Sequence, residues 1–197
     1  YKYENDSMLI EKNSDQLYSY LLSSLVLRKK TNHILLPIVN MDVRFNQFHD
    51  VLKNEFFYFN IINKIKNNKH SDLFSVNIKE HFLNSESLIS YLKKKKYSIK
   101  NLLFQVIHTL AVIQKEYPNF RHNALNTSNV FLYLFDENIN HKYKFNNEEF
   151  VLDKHNFDIK ITNFYKSSIS NELIKKIPFS DKKNKYFDLH YFLNTLL

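Results

Sequence analysis

No glycine occurs anywhere in the 197 residues of this chain. Glycine is the residue that enters left-handed backbone at no steric cost, so every such turn here must fall to asparagine or aspartate, which tolerate it best. The chain is rich in asparagine. Loops that need glycine to bring backbone N–H groups onto a phosphate are excluded, so neither G-x-G-x-x-G nor a P-loop can be written within it. Cysteine is absent too, which removes disulfides, cysteine-bound zinc and thiol nucleophiles.

Hydrophobic residues make up 44% of the chain, enough for a packed core, and aromatic residues 16%. No apolar run approaches the length of a transmembrane helix, and charges interrupt the opening "YKYENDSMLIEK" too often for a signal peptide. The formal net charge of +8 would draw the chain towards nucleic acid or acidic surfaces. The lysines are spread out except for "KKKK" at 93–96, which reads first as the exposed end of a helix, and second as a phosphate-binding patch with Tyr91 and Tyr97 stacking beside it. Abundant Asn, Lys, Ile, Phe and Tyr without Gly or Trp points to a very AT-rich genome, such as that of a parasite or a large DNA virus.

Periodicity gives the elements. "SMLIEK" at 7–12 reads as a strand. Residues 15–30 read as a helix capped by Ser14 or Asp15, with Leu17, Leu21, Leu22, Leu25 and Val26 on one face. "HILLPIV" at 33–39 and "LFSVNIKEHF" at 73–82 read as strands, and "SESLISYLKKKK" at 85–96 as a helix. Residues 98–117 form the clearest helix, with Leu102, Leu103, Val106, Ile107, Leu110 and Ile113 as its stripe and Pro118 as its stop. Strands follow at 130–135 and 157–164, the second with Phe157, Ile159 and Ile161 on one face. The polar stretch "DENINHKYKFNNEE" between them reads as a turn or insertion. "YFDLHYFLNTLL" at 186–197 reads as a helix.

Within that order stand "HNALNTSN" (122–129), "FVLDKHNFDIKITNF" (150–164) and "YFDLHYFLNTLL". A long apolar helix, then H-x-x-L-x-x-x-N, a strand, a hairpin-like excursion and a strand ending in "TNF" resemble the protein kinase fold. The likeness is greatest to the kinase-like proteins of large AT-rich DNA viruses. It covers nearly the whole chain and implies an α+β, two-lobed, protein kinase-like fold with a partial small β lobe and a mainly helical large lobe. Residues 1–83 would form the small-lobe-like region and 84–197 the large-lobe-like region, with the chain cut short at both ends.

The resemblance also implies roles. Phosphoryl transfer depends on positioning and charge compensation more than on covalent chemistry. One loop carboxylate accepts the proton of the attacking hydroxyl, and a second, in the segment ending the strand, holds magnesium. In this sequence Ala124 stands at the first position and Asn163 at the second, Asn126 near the usual loop lysine, and Tyr165 at a small turn residue. His122, Asn123, Asn129 and Phe164 keep the frame. Lys12, or Glu11 one residue off, falls at the phosphate-positioning lysine, with Asp15 and Gln16 closest to its acidic partner. The resemblance makes Asp188 a structural residue that accepts backbone hydrogen bonds from the loop. An ordinary helix-N-terminal carboxylate is the other reading.

These departures lead to the expectation of a catalytically inactive homologue, a pseudokinase and not an enzyme. It would serve as a scaffold, assembly or virion component, in a virion or the cytoplasm of an infected cell. A protein partner is then expected, with nucleic acid bound through the basic surface as a rival reading. No cofactor is expected; the alternative is a switch that binds ATP without metal through Lys12 and Asn129. No metal site is expected, because the nine histidines show neither H-x-x-x-H nor H-E-x-x-H spacing and read as core or solvated residues.

Overall fold

A computed structural model describes residues 14–55, 59, 62–63, 73–94, 99–169 and 185–196. The expected strand at 7–12, with Glu11 and Lys12, lies outside the described residues, as does Tyr97. The protein is α+β. It divides into two compact units, residues 37–79 and the remainder, whereas the sequence reading drew its line between 83 and 84.

The smaller unit contains β1 (Pro37–Arg44), helix α2 (Phe45–Leu52) and β2 (Leu73–Lys79). The strands pair antiparallel from Arg44↔Leu73 to Pro37↔Lys79, with a bulge between Pro37 and Val39. The run 33–39 was expected to be the strand. It begins instead at Pro37, and Ile34 makes only an isolated bridge to Ile161 in the larger unit that contains them both. Proline supplies no N–H to a ladder, so a strand's first residue is where it fits. The unassigned stretch after residue 44 opens as α2, where Gln47 Oε1 accepts the Arg44 N–H at 2.9 Å.

The larger unit opens with α1 (Ser14–Leu27). Its buried face is Tyr18, Leu22 and Leu25, while Leu17, expected in the core, is 47% exposed. Small serines at 19 and 23 let this face pack closely, and Ser23 turns its hydroxyl back to Tyr20 O at 2.6 Å. The helix ends without glycine. Lys29 takes φ 55, and Lys30 N–H bonds Leu25 O at 2.8 Å while Lys29 N–H bonds Val26 O at 2.9 Å. These are the two bonds of a Schellman stop.

The expected helix at 85–96 is instead β3 (Ser85–Ser87) followed by a short α3 (Leu88–Leu92). Ser87 is the cap, accepting the Ser90 N–H, and the residues before it pair with β5, Ser85 facing Tyr133. The clearest predicted helix forms as α4 (Ile99–Glu116). Its buried side includes Leu102, Val106, Leu110 and Ile113, but also Asn101, Gln105, His108 and Thr109, while Ile107 is 46% exposed.

The largest departure from the sequence reading is the stretch taken for a turn or insertion. It is the outer half of a long antiparallel hairpin, β5 (Val130–Phe145) and β6 (Glu148–Ile161). The turn is Asn146–Asn147, with φ 49 and 68. Two consecutive left-handed residues between the paired Phe145 and Glu148 make the turn that matches strand twist, where Asn-Gly is the usual choice and Asn-Asn serves here. The hairpin's outer end lies along α4 through Tyr143, whose ring meets Phe104 at 5.2 Å and His108 at 4.9 Å. Asn147→Ala is expected to cost about 1 kcal/mol, the penalty of left-handed backbone with an unhelpful Cβ, while Asn147→Gly holds or raises stability. Equal urea midpoints for the two variants would contradict this.

The inner halves of β5 and β6 supply the core. Val130, Leu132, Phe157, Ile159 and Ile161 are buried with Leu22, Val106, Leu125 and Phe164. β4 (Phe120–Arg121) pairs with β7 (Ser168–Ile169), and α5 (Phe187–Asn194) completes the unit. Among the described residues no helix is long and apolar enough to cross a membrane.

Candidate functional site

The loop from β4 to β5 is held by one carboxylate. Asp188, on α5 and 2% exposed, accepts the His122 N–H at 2.7 Å and the Asn123 N–H at 2.8 Å, one on each oxygen. Asn123 sits at φ 60, and its side-chain amide donates to Lys166 O and to Ser168 Oγ, both at 2.9 Å. The left-handed residue thus ties the loop to the segment after β6.

His122 is almost fully buried, and its ring donates from Nε2 to Thr162 O at 3.1 Å and lies 5.1 Å from the Phe164 ring. Burial lowers its pKa, against the pull of Asp188 in the other direction. The imidazole is therefore a neutral positioning group. Asn126, at the place of the usual loop lysine, acts as a cap: its Oδ1 accepts from Ser128 N–H at 2.9 Å and Asn129 N–H at 3.2 Å, opening the single turn Thr127–Asn129.

The side-chain amides of Asn129 and Asn163 meet. Asn163 Nδ2 donates to Asn129 Oδ1 at 2.8 Å, and Asn129 Nδ2 donates to Ala124 O at 2.7 Å. Asn163 has φ 67 and ψ 62, a backbone that asparagine accepts readily. Ala124 is buried, 6% exposed, so its methyl belongs to the core. From the other side, Asp15 Oδ1 on α1 accepts the Phe164 N–H at 2.6 Å, and Ser14 Oγ donates to Tyr165 O.

The structure therefore brings together His122, Asn123, Ala124, Asn126, Asn129, Asn163, Phe164 and Asp188, with Asp15 beside them. Lys12 lies outside the described residues. Sequence reasoning missed Thr162, whose carbonyl receives His122 and whose N–H bonds Asn129 O at 3.1 Å. These are backbone roles, which leave no mark on residue identity.

With the loop and its partner segment in place, the chain can be set beside known proteins. No protein-family model matches the chain. It is similar to "Putative serine/threonine-protein kinase R400" of Acanthamoeba polyphaga mimivirus, 29% identical over 204 residues that cover 90% of this chain and 44% of that protein. It is similar to "Uncharacterized protein R402" of the same virus, 30% identical over 91% of this chain and 19% of that protein. "Putative serine/threonine-protein kinase R301", also of that virus, is 35% identical over 46% of this chain and 24% of its own length. The chain spans less than half the length of each of these relatives.

These similarities support a kinase-related viral protein. They also correct the expectation that the chain is not an enzyme, because two of the relatives carry the name of a serine/threonine-protein kinase. That expectation rested on Ala124 and Asn163 in place of carboxylates, on Asn126 and Tyr165, on the uncertain phosphate-positioning lysine and on the absent glycines.

Proposed function

We propose that the chain is the nucleotide-holding, kinase-related part of a longer viral protein, and that ATP binds beside residues 122–129 and 162–166. The observation that supports this reading most is the amide pair Asn129–Asn163, set at 2.8 Å next to a loop whose backbone is pinned to a buried aspartate. Two segments of the chain are held in a fixed relation there, which supports reading the space beside them as a phosphate-binding place. Phosphoryl transfer to serine or threonine hydroxyls, the activity in two relatives' names, is proposed as the reaction class for the whole protein.

The neutral pair also sets the metal dependence. With neither position charged, the protein adds little to the affinity for a nucleotide-bound magnesium ion, so ATP should bind about equally with and without it. Titration calorimetry is expected to give ATP affinities within about twofold of each other in magnesium and in EDTA. Asn163→Asp, which restores a charged oxygen, should raise the magnesium-dependent affinity about tenfold. No ATP binding in either condition, or strict magnesium dependence of the unmodified protein, would overturn the proposal.

A further inference from the structure

The β5–β6 ladder slips twice, between Leu134 and Ile139 and between Ile139 and His141. The slips bring His141 onto His155: the rings stack with centroids 4.0 Å apart. Asp158 stands beside them, its Oδ1 3.2 Å from His141 Nδ1. One donor atom from each of the three residues lies within 4.8 Å of the others. The side chains of His141 and Asp158 are only 10% and 15% exposed, and His155 is 4% exposed.

Two features separate this cluster from ordinary core histidines. His141 Nε2 is shut off from solvent with no hydrogen-bond partner, a costly state for a polar atom, while the equally buried Asp158 Oδ1 faces His141 Nδ1 at 3.2 Å. His155 is oriented from behind: its Nδ1–H donates to Asp153 O at 2.7 Å, leaving Nε2 as the lone-pair nitrogen, which accepts from Gln105 Nε2 at 2.9 Å. A histidine whose far nitrogen is fixed by a carbonyl is the usual support for a metal ligand. The neighbouring Lys160 is engaged elsewhere, with Nζ 3.5 Å from Glu80 Oε1 and 4.7 Å above the Phe82 ring.

We infer that His141, His155 and Asp158 form a binding site for a zinc-class divalent cation, with water as fourth ligand. Two imidazoles and one carboxylate suit zinc by donor type and number. Tetrahedral coordination sets ligand atoms about 3.4 Å apart, so the imidazoles must rotate within the bulge to converge, His155 exchanging Gln105 for the ion. An open pocket beside the cluster is lined by Phe135, Asp136 and Asn156, and the Phe135 ring lies 5.6 Å from that of His141. The ion would staple the hairpin across its slipped register, ahead of the segment that carries Asn163. Local spacing hid the site because its ligands face each other across two strands.

The test is Zn2+ binding by competition with a chromophoric chelator, together with Co2+ absorption, on protein first stripped with EDTA. One Zn2+ per chain is expected, with the intense visible Co2+ bands of four-coordination and a rise in melting temperature that Mg2+ does not give. Asp158→Asn and His141→Ala should each weaken Zn2+ binding at least about 100-fold, whereas His49→Ala leaves it unchanged. Asp158→Asn preserves side-chain size, and its melting temperature in EDTA shows that it folds. Absence of stoichiometric binding, or binding unaltered in a folded Asp158→Asn protein, would overturn the proposal.

Discussion

Asp188→Ala is expected to destabilise the protein by about 3–5 kcal/mol, seen as a lowered urea midpoint. Asp188 is buried, and both of its oxygens hold backbone N–H groups of the 122–129 loop, at 2.7 and 2.8 Å. A hydrogen bond to a charged group contributes about 1.5–3 kcal/mol, and a buried donor left without an acceptor costs about 1–3 kcal/mol more. Alanine removes both acceptors, and the site is buried, with Asp188 only 2% exposed, so water does not readily replace them. Asp188→Asn keeps one oxygen and should lose about half as much. If Asp188 were only a carboxylate near a helix N-terminus, the loss would stay below about 1 kcal/mol.

Acidification is the second large effect. His33 is fully buried and donates from Nδ1 to Ile159 O at 3.0 Å, while its Nε2 faces no partner. Burial drives its pKa down from 6.5 to about 3, against the opposing pull of that carbonyl, and the positive charge of Lys160 lowers it further. Tyr143 stacks on the ring at 5.5 Å. The unfolded chain takes up a proton near pH 6.5 that the folded chain refuses until about pH 3. Stability from this group is therefore complete above pH 6.5 and falls as pH drops through that window, by about 1.4 kcal/mol per unit. Urea unfolding in EDTA at pH 7.5 and 4.5 should show an acid loss about 3 kcal/mol smaller in His33→Phe than in the unmodified protein, the remainder coming from the other buried histidines. An identical acid loss in His33→Phe would contradict this origin.

The regular parts of the fold were legible. The stripe of α4 and the alternation Phe157, Ile159, Ile161 carry their period in the sequence, and the glycine-free composition foretold asparagine at left-handed positions. Asn123, Asn146, Asn147 and Asn163 occupy such positions, and Lys29 joins them at a helix stop. The outer hairpin was not legible, because its strands alternate Asn, His and Lys with few apolar residues, and its aromatic contacts with α4 are long-range. Ser85–Ser87 was misread because a serine and a glutamate suit a helix start as well as an edge strand; pairing with β5 decided it.

The candidate site divides the same way. Its frame was readable from residue order, since His122, Asn129, Asn163 and Asp188 stand at fixed spacings. Its contacts were not. The amide pair of Asn129 and Asn163, the cap made by Asn126 and the Asp15 bond to Phe164 N–H depend on how α1, the loop and β6 converge. Absence of enzyme activity was inferred from departures at 124, 126, 163 and 165, the uncertain lysine and the missing glycines, and the relatives named as serine/threonine-protein kinases corrected it.

Amide hydrogen exchange with and without ATP tests the central claim most directly, because it reports where the nucleotide sits as well as whether it binds. The account predicts slowed exchange in 122–129 and 162–166, in EDTA as well as in magnesium. Saturating ATP that leaves both segments unchanged, or protects only residues remote from them, would contradict it.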